Sequence, residues 1–136
     1  MAKYKKNKAV RIAANFKSTE FDCKGVGCCS STLVDGELVK QLQRIRNHFG
    51  KPVIINSGYR CFSHNKAVGG SSGSKHKQGK AADIKIKGVP PQKIAAYAES
   101  IGIKGIGLYS SFVHIDTRTN KYYWFSSKQE RRSTFK

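Results

Sequence analysis

The run FVHIDTR at residues 112–118 constrains the fold more than any other stretch of the chain. It alternates in character, and successive side chains of a β-strand point to opposite faces of a sheet. His114 and Asp116 therefore share one predicted face, and Val113 and Ile115 share the other. The strand places a histidine beside a carboxylate.

The remaining pattern predicts two helices and four more strands. Apolar residues recur at helical spacing from about Thr32 to His48, and a second helix is predicted from Pro90 or Pro91 to Gly102. The other predicted strands lie within residues 52–60, 81–87, 105–109 and 121–125. Early helical sequence followed by strands around one more helix predicts an α+β fold. We expect a single small domain in which a mostly antiparallel sheet packs with two or more helices.

The length of 136 residues suits one compact domain. We expect a basic N-terminal segment at 1–11, the folded domain at 12–125 and a basic C-terminal tail at 126–136. No stretch approaches the roughly 20 apolar residues of a membrane span, and the basic opening has no apolar run behind it. These features predict a soluble protein made in the cytoplasm without a signal peptide.

The chain is strongly basic, with 26 Lys and Arg against 8 Asp and Glu and a formal charge of +18. Such a charge favours an anionic polymer as partner, and nucleic acid, anionic lipid and bacterial wall polymers all qualify. No helix-turn-helix, zinc-finger or aromatic RNP pattern is present, which disfavours nucleic acid. The aromatic run YYWF at 122–125 is interpreted as a strand that packs into the core.

Four cysteines, Cys23, Cys28, Cys29 and Cys61, lie in the first half of the chain. They could form a disulfide, remain as reduced and buried thiols, or bind a structural metal. The absence of a signal peptide favours reduced thiols. A second metal site is the least favoured option, because C-x4-C-C differs from the usual C-x2-C knuckle.

The stretch from Ser74 to Asp83 carries the clearest chemical signal. A polar loop leads into a strand and presents His76 and Asp83 seven positions apart. Zinc accepts both ligand types, and a catalytic zinc normally takes three protein ligands. His114 is the best third candidate, since the two remaining histidines lie in a predicted helix end and a predicted turn.

The pattern S-x-H-x-x-G-x-A-x-D is matched by Ser74, His76, Gly79, Ala81 and Asp83. With it, the chain resembles the zinc D-Ala-D-Ala carboxypeptidase family, which includes vancomycin-resistance D,D-dipeptidases and phage endolysin peptidases. The hedgehog signalling domain is a distant structural relative. The similarity extends from about residue 16 to 125 and also includes the runs at 50–60, 64–72 and 105–118.

The resemblance implies one catalytic Zn²⁺ held by His76, Asp83 and His114. It also matches Arg60 to the family arginine that faces the substrate and stabilises an oxyanion or a substrate carboxylate. The predicted substrate-binding residues are Arg60, Ser74 and Tyr109. Ser74 could instead support the Asp83 carboxylate.

The general base departs from the family pattern. Many relatives carry Glu or Asp three residues before the last histidine ligand, where this chain has Ser111. Asp116 is predicted to be the catalytic base because it lies two positions beyond His114 on the same strand face. Alternatively, Asp116 orients a ligand or pairs with Arg60 or Arg118.

These features predict a metallopeptidase, D-Ala-D-Ala carboxypeptidase-like, that hydrolyses an amide bond next to a D-amino acid in peptidoglycan. The enzyme could be a D,D-carboxypeptidase or an endopeptidase, and the bond could lie in a stem peptide or in a cross-link. We expect a monomeric enzyme of phage-type cell-wall lysis, that is, an endolysin released by lysis or carried in a virion. Its basic surface is expected to hold it on anionic wall polymers. The alternative is a zinc-stabilised binding module without catalytic activity.

Overall fold

The computed structural model describes residues 1–125, 130–132 and 134–136, the second of these ranges by its backbone alone. The predicted C-terminal tail at 126–136 therefore lies partly outside the described residues. The helices are α1 (Gly36–Phe49), α2 (Phe62–Ala67) and α3 (Pro91–Ser100), with a short 3-10 helix at Ser18–Phe21. The strands are β1 (Ala2–Lys5), β2 (Arg11–Ala13), β3 (Phe16–Lys17), β4 (Ser31–Val34), β5 (Ile54–Ser57), β6 (Ala81–Lys85), β7 (Gly105–Leu108), β8 (Val113–Asp116), β9 (Tyr122–Phe125) and β10 (Glu130–Arg132).

Six of the described strands form the main sheet, in the order β10-β9-β7-β8-β6-β5. Neighbouring strands are antiparallel except β7 and β9, which are parallel. Two further pairs, β1 with β4 and β2 with β3, form small antiparallel sheets. The predicted α+β fold with a mostly antiparallel sheet and at least two helices is confirmed.

One face of the main sheet forms the hydrophobic core. Ile84, Ile106 and Ile115 lie on this face and are fully buried with the apolar sides of α1 and α3. The alternation of side chains sends Asp83 and His114 to the opposite face. The polar pair is therefore held on a sheet whose other side is anchored in the core.

Helix α1 begins later than the sequence predicts. Residues 32–34, assigned to the helix from the sequence, pair with β1 as part of β4, and Asp35 then caps the helix by accepting a hydrogen bond from the Glu37 backbone N–H. β-branched residues before an N-cap favour the extended backbone. The second predicted helix is confirmed as α3.

Both ends of the chain carry secondary structure. β1 lies within the predicted basic segment at 1–11. β10 lies within the predicted C-terminal tail and pairs with β9. Phe135 is fully buried and belongs to the core cluster. The boundaries at residues 11 and 125 stay a prediction. None of the helices in the described part of the chain is long and apolar enough to cross a membrane.

We expect Gly79→Ala to destabilise the fold more than Gly50→Ala. Both glycines have positive φ, +72° and +64°, which disfavours alanine. A Cβ at Gly79 would also lie 2.6 Å from the Leu33 carbonyl oxygen, whereas nothing lies within 4 Å of one at Gly50. Urea denaturation should show a loss of about 1 kcal/mol for Gly50→Ala and about 2–3 kcal/mol for Gly79→Ala. Equal losses would contradict the close contact.

Candidate active site

Three predicted ligands meet on the polar face of the sheet. Asp83 on β6 and His114 on β8 are direct cross-strand partners, and His76 arrives from the loop before β6. Asp83 Oδ1 lies 3.2 Å from His76 Nε2 and 3.0 Å from His114 Nδ1. One potential ligand atom from each residue lies within 4.8 Å of the other two.

Each histidine makes a second contact with its outer ring nitrogen. His76 Nδ1 lies 2.8 Å from the Gly58 carbonyl oxygen, which can only accept, so Nδ1 carries the proton. His114 Nε2 lies 2.8 Å from Asp116 Oδ2, so this nitrogen also donates. In the neutral rings, the inner nitrogens therefore present lone pairs towards Asp83.

This arrangement fits a metal ion. Two imidazole lone pairs and one carboxylate converge with no donor between them, which is unfavourable unless a proton or a cation lies there. Two nitrogens and one oxygen form a donor set that zinc accepts, and outer hydrogen bonds that hold each imidazole in one tautomer are usual at such sites. The predicted ligand set His76, Asp83 and His114 can therefore hold a metal.

The electrostatics of the group agree with this donor set. Burial opposes ionisation of Asp83, but the neighbouring His114 and His76 rings outweigh burial and hold its pKa well below the usual range. Burial also disfavours the charged form of His114, yet Asp116 and Asp83 raise its pKa above the usual value. Asp83 is therefore a carboxylate at neutral pH, and the site attracts positive charge.

Asp116 lies behind His114, away from the cleft. Its side chain is 0% exposed, and both carboxylate oxygens accept hydrogen bonds from the Arg118 guanidinium, at 2.8 and 2.6 Å. Burial raises its pKa, but His114 and Arg118 outweigh that effect and lower the pKa well below the usual range. Asp116 touches His114 and Arg118, and the contact with Arg60 predicted as an alternative is not among its hydrogen bonds here.

Arg60 enters the same cleft after β5. Its Nη2 lies 3.8 Å from Asp83 Oδ2, and its Nη1 donates to Asn65 Oδ1 at 3.2 Å. The backbone N–H of Arg60 donates to the His76 carbonyl at 3.1 Å. Asn65 is buried and also donates to the Ser71 carbonyl, so it fixes the guanidinium against the loop. Sequence reasoning missed Asn65, although it falls within the matched run at 64–72.

The cleft has a volume of about 460 Å³ and includes the predicted substrate-binding residues Arg60, Ser74 and Tyr109. Ser74 Oγ accepts a hydrogen bond from the His76 backbone N–H at 3.2 Å, so it shapes the loop that presents the histidine. Ser111 is exposed and does not line this cleft. Among the described residues that line it, Asp83 is the only carboxylate.

Aromatic side chains that sequence reasoning assigned elsewhere form one wall of the cleft. The interpretation of residues 122–125 as a core strand holds for Tyr123, which is buried in the core cluster, but Tyr122 and Trp124 line the cleft. Trp124 donates to the Tyr109 hydroxyl at 3.0 Å, and Tyr109 stacks on Phe112 with ring centroids 4.4 Å apart. The period-2 rule, applied to β9 as it was to β8, would have separated these faces.

Two glycines of β7 provide the space beneath the site. A Cβ at Gly105 would overlap the Asp116 carboxylate, and one at Gly107 would overlap the Trp124 indole. The alternating residues of the same strand, Ile106 and Leu108, are buried in the core. The spacing G-x-G thus leaves room for Asp116 and Trp124 on the polar face.

Comparison with known proteins agrees with the geometry. The family described as peptidase M15 matches residues 14–116, which is most of the chain. The chain belongs to the peptidase M15 family. The matched region contains Arg60, all three potential metal ligands and Asp116.

Curated relatives of this M15 chain include two named as peptidoglycan L,D-endopeptidases. MepK of Escherichia coli strain K12 is 38% identical over 93 residues, 62% of this chain and 51% of the relative. The probable MepK of Haemophilus influenzae is 34% identical over 94 residues, 62% of this chain and 50% of the relative. The zinc D-Ala-D-Ala carboxypeptidase of Streptomyces albus G is 39% identical over 61 residues, 44% of this chain and 23% of the relative. The chain spans about half the length of the MepK relatives.

We expect the two histidines of the site to occupy opposite tautomers in the zinc-loaded protein. The contact with the Gly58 carbonyl keeps the proton of His76 on Nδ1, and Asp116 keeps that of His114 on Nε2. Long-range ¹H–¹⁵N correlation spectra of the imidazole rings would distinguish the two forms. His48, which lies outside the site, serves as the reference ring, and finding one tautomer for both site histidines would contradict the assignment.

Proposed function

We propose that this chain is a zinc-dependent peptidase that hydrolyses an amide bond next to a D-amino acid in peptidoglycan. The observation that carries the proposal is the convergence of two imidazole lone pairs and the Asp83 carboxylate in a cleft that also contains Arg60. Membership of the M15 family supports peptide hydrolysis. The names of the relatives support peptidoglycan as the substrate.

An endopeptidase is favoured over a carboxypeptidase. The relatives named as L,D-endopeptidases align over 62% of this chain, against 44% for the one named as a carboxypeptidase. The bond cut by this chain would then lie within a stem peptide or cross-link. Phage-type lysis, virion association and a monomeric state stay predictions.

His76, Asp83 and His114 would hold the metal. A zinc ion bound there would act as a Lewis acid, able to polarise the scissile carbonyl and to make bound water more acidic. The outer contacts of the histidines keep both inner nitrogens directed at one point, so the ligand set is organised before the metal arrives. Asp83 stays ionised because of its lowered pKa.

Arg60 is proposed to contact the substrate. Asn65 and Ser57 hold its side chain at 3.2 and 3.3 Å, which limits the entropy lost when it binds a second partner. Lys75 and Arg118 also line the cleft, where Asp83 is the only described carboxylate. The cleft therefore suits a peptide that carries carboxylates, and Arg60 can stabilise negative charge that develops on the scissile carbonyl oxygen.

For Asp116 we favour the orienting role over the role of general base. A general base works best when its pKa lies near the operating pH, and the pKa of Asp116 is well below its usual range. Its carboxylate is also fully buried and held by Arg118. Contact with His114 Nε2 instead lets Asp116 fix the ring and increase the basicity of the inner nitrogen.

The second candidate is the zinc-stabilised binding module without catalytic activity. One observation favours it, since the described residues lining the cleft include no carboxylate besides Asp83, a proposed metal ligand. Such a module would bind peptidoglycan or another anionic polymer. Its cleft would hold the peptide without cutting it.

Digestion of purified peptidoglycan, followed by mass analysis of the fragments, tests the two candidates. We expect the chain to release fragments cut next to a D-amino acid, to lose this activity after treatment with a chelator, and to regain it when zinc is added. An Arg60→Lys variant should lose about 10²-fold or more in kcat/KM, since lysine lacks the fork of donors. Sedimentation of the protein with peptidoglycan and no fragments at any zinc concentration would favour the binding module.

The same digestion examines the proposed contact between the basic surface and anionic wall polymers. The formal charge of +18 should hold the enzyme on whole walls at low salt. Added salt should therefore slow the digestion of walls and leave cleavage of a small soluble peptide nearly unchanged. Equal salt sensitivity of both substrates would contradict an electrostatic hold.

Asp116→Asn separates the two roles of Asp116. If this residue orients His114, the zinc concentration for half-maximal activity should rise about 10- to 100-fold, with kcat retained at saturating zinc. If it is the general base, kcat should fall at every zinc concentration. Ser111→Asp is the matched control: it restores the acid of the family pattern at a position outside the cleft, so we expect no gain in kcat.

A further inference from the structure

A second cluster of metal-binding side chains lies apart from the peptidase site. Cys61 is more than 30 positions from the other three cysteines in sequence, but all four sulfur atoms lie within 4.8 Å of one another. Cys23 and Cys61 are 3% and 6% exposed, and Cys28 and Cys29 are half-buried. The three cysteines of the loop before β4 therefore lie close to the cysteine that precedes α2.

The distances suit one ion in the middle of the cluster. Cys23 Sγ lies 3.7 Å from Cys28 Sγ and 3.8 Å from Cys61 Sγ. Four sulfurs at the corners of a tetrahedron with zinc–sulfur bonds of about 2.3 Å lie about 3.8 Å apart. A disulfide requires about 2.05 Å and joins its sulfurs in pairs. An iron–sulfur cluster would place several atoms between the thiolates, for which this spacing leaves too little room.

We propose that Cys23, Cys28, Cys29 and Cys61 bind a structural Zn²⁺ as four thiolates. The site is closed, because all four positions of a tetrahedral zinc are taken by protein sulfur. Binding displaces the thiol protons, and the resulting centre carries two negative charges. This second ion has no open position for a substrate, so its role is in the fold and not in peptide hydrolysis.

Hydrogen-bond donors lie beside two of the sulfurs, where they can stabilise negative charge. The His64 backbone N–H donates to Cys61 Sγ at 3.4 Å, and Lys6 Nζ lies 3.9 Å from Cys29 Sγ. Lys6 also donates to the Gly25 carbonyl within the cysteine loop. Backbone and side-chain donors thus lie where a tetrathiolate centre needs them.

Glycine residues of the loop allow the close approach. A Cβ at Gly25 would overlap Cys28 Sγ, and Gly27 has a φ of +70°, which favours glycine. The spacing C-x4-C-C therefore gathers three sulfurs through a glycine-containing turn, in place of the usual C-x2-C knuckle. This geometry supports a second metal site, which the cysteine spacing in the sequence had disfavoured.

The proposed ion would connect the cysteine loop to the peptidase cleft. Cys61 directly follows Arg60 and accepts the first hydrogen bond of α2, the helix that also carries Asn65. Fixing Cys61 therefore fixes the start of the segment that holds the Arg60 guanidinium. The loop is also tied to the core nearby, since the Tyr59 N–H donates to the Phe21 carbonyl at 2.8 Å.

Counting zinc in the purified full-length chain tests the proposal. Protein made with added zinc and kept reduced should contain two zinc ions per chain by elemental analysis. A double variant, His76→Ala with His114→Ala, should keep one ion, and Cys28→Ser with Cys29→Ser should lose one. His48→Ala removes a histidine outside both clusters and should keep two. The histidine double variant separates this proposal from the proposed function, because its remaining ion does not depend on the peptidase site.

A second measurement leaves all four cysteines in place. An organomercurial that titrates the four thiols of the histidine double variant should release one zinc per chain, followed with a zinc-sensitive dye. Replacement of zinc by Co²⁺ should produce an intense thiolate-to-metal charge-transfer band. The proposal is overturned if that variant contains no zinc while four thiols react freely, if the cysteines are paired as disulfides, or if iron and inorganic sulfide are found.

Discussion

The antiparallel pairing of β6 with β8 is the constraint on which the rest of the site depends. It sets Asp83 directly across from His114, at a distance from which one cation can contact both. A slip of one residue would turn every side chain of one strand to the other face. The same slip would place Ile84 of β6 or Ile115 of β8 in water, so the apolar core fixes the register that the polar site needs.

The polar face remains stable because its buried groups are matched with partners. Asp116 is fully buried, and the cost of burying a carboxylate is offset by His114 on one side and Arg118 on the other. Gly105 makes room for that carboxylate on the neighbouring strand. The proposed metal site thus depends on two successive contacts: Gly105 of β7 leaves room for Asp116, and Asp116 in turn orients the His114 ring.

The sequence predicted the helices and strands whose signal comes from residues close together in the chain. The spacing of apolar residues located α1, the prolines at 90 and 91 located the start of α3, and short strand-forming runs located β6, β7, β8 and β9. The start of α1 was wrong because β4 gains its pairing from β1, about 30 positions earlier in the chain. The helix α2 was missed, since its six residues carry a weak signal and its cap is Cys61, which is not a common N-cap residue.

The sequence by itself determined the family, the three potential ligands and the strand face that His114 shares with Asp116, because a dense motif and a period of two are local properties. Tertiary structure decided the partners of those residues. The place of Asp116 between His114 and Arg118 and the aromatic wall at Trp124 follow from the strand order, with β9 parallel to β7. The gathering of four cysteines follows from packing between segments more than 30 residues apart, and distances of that kind are set by the folded chain and not by spacing in sequence.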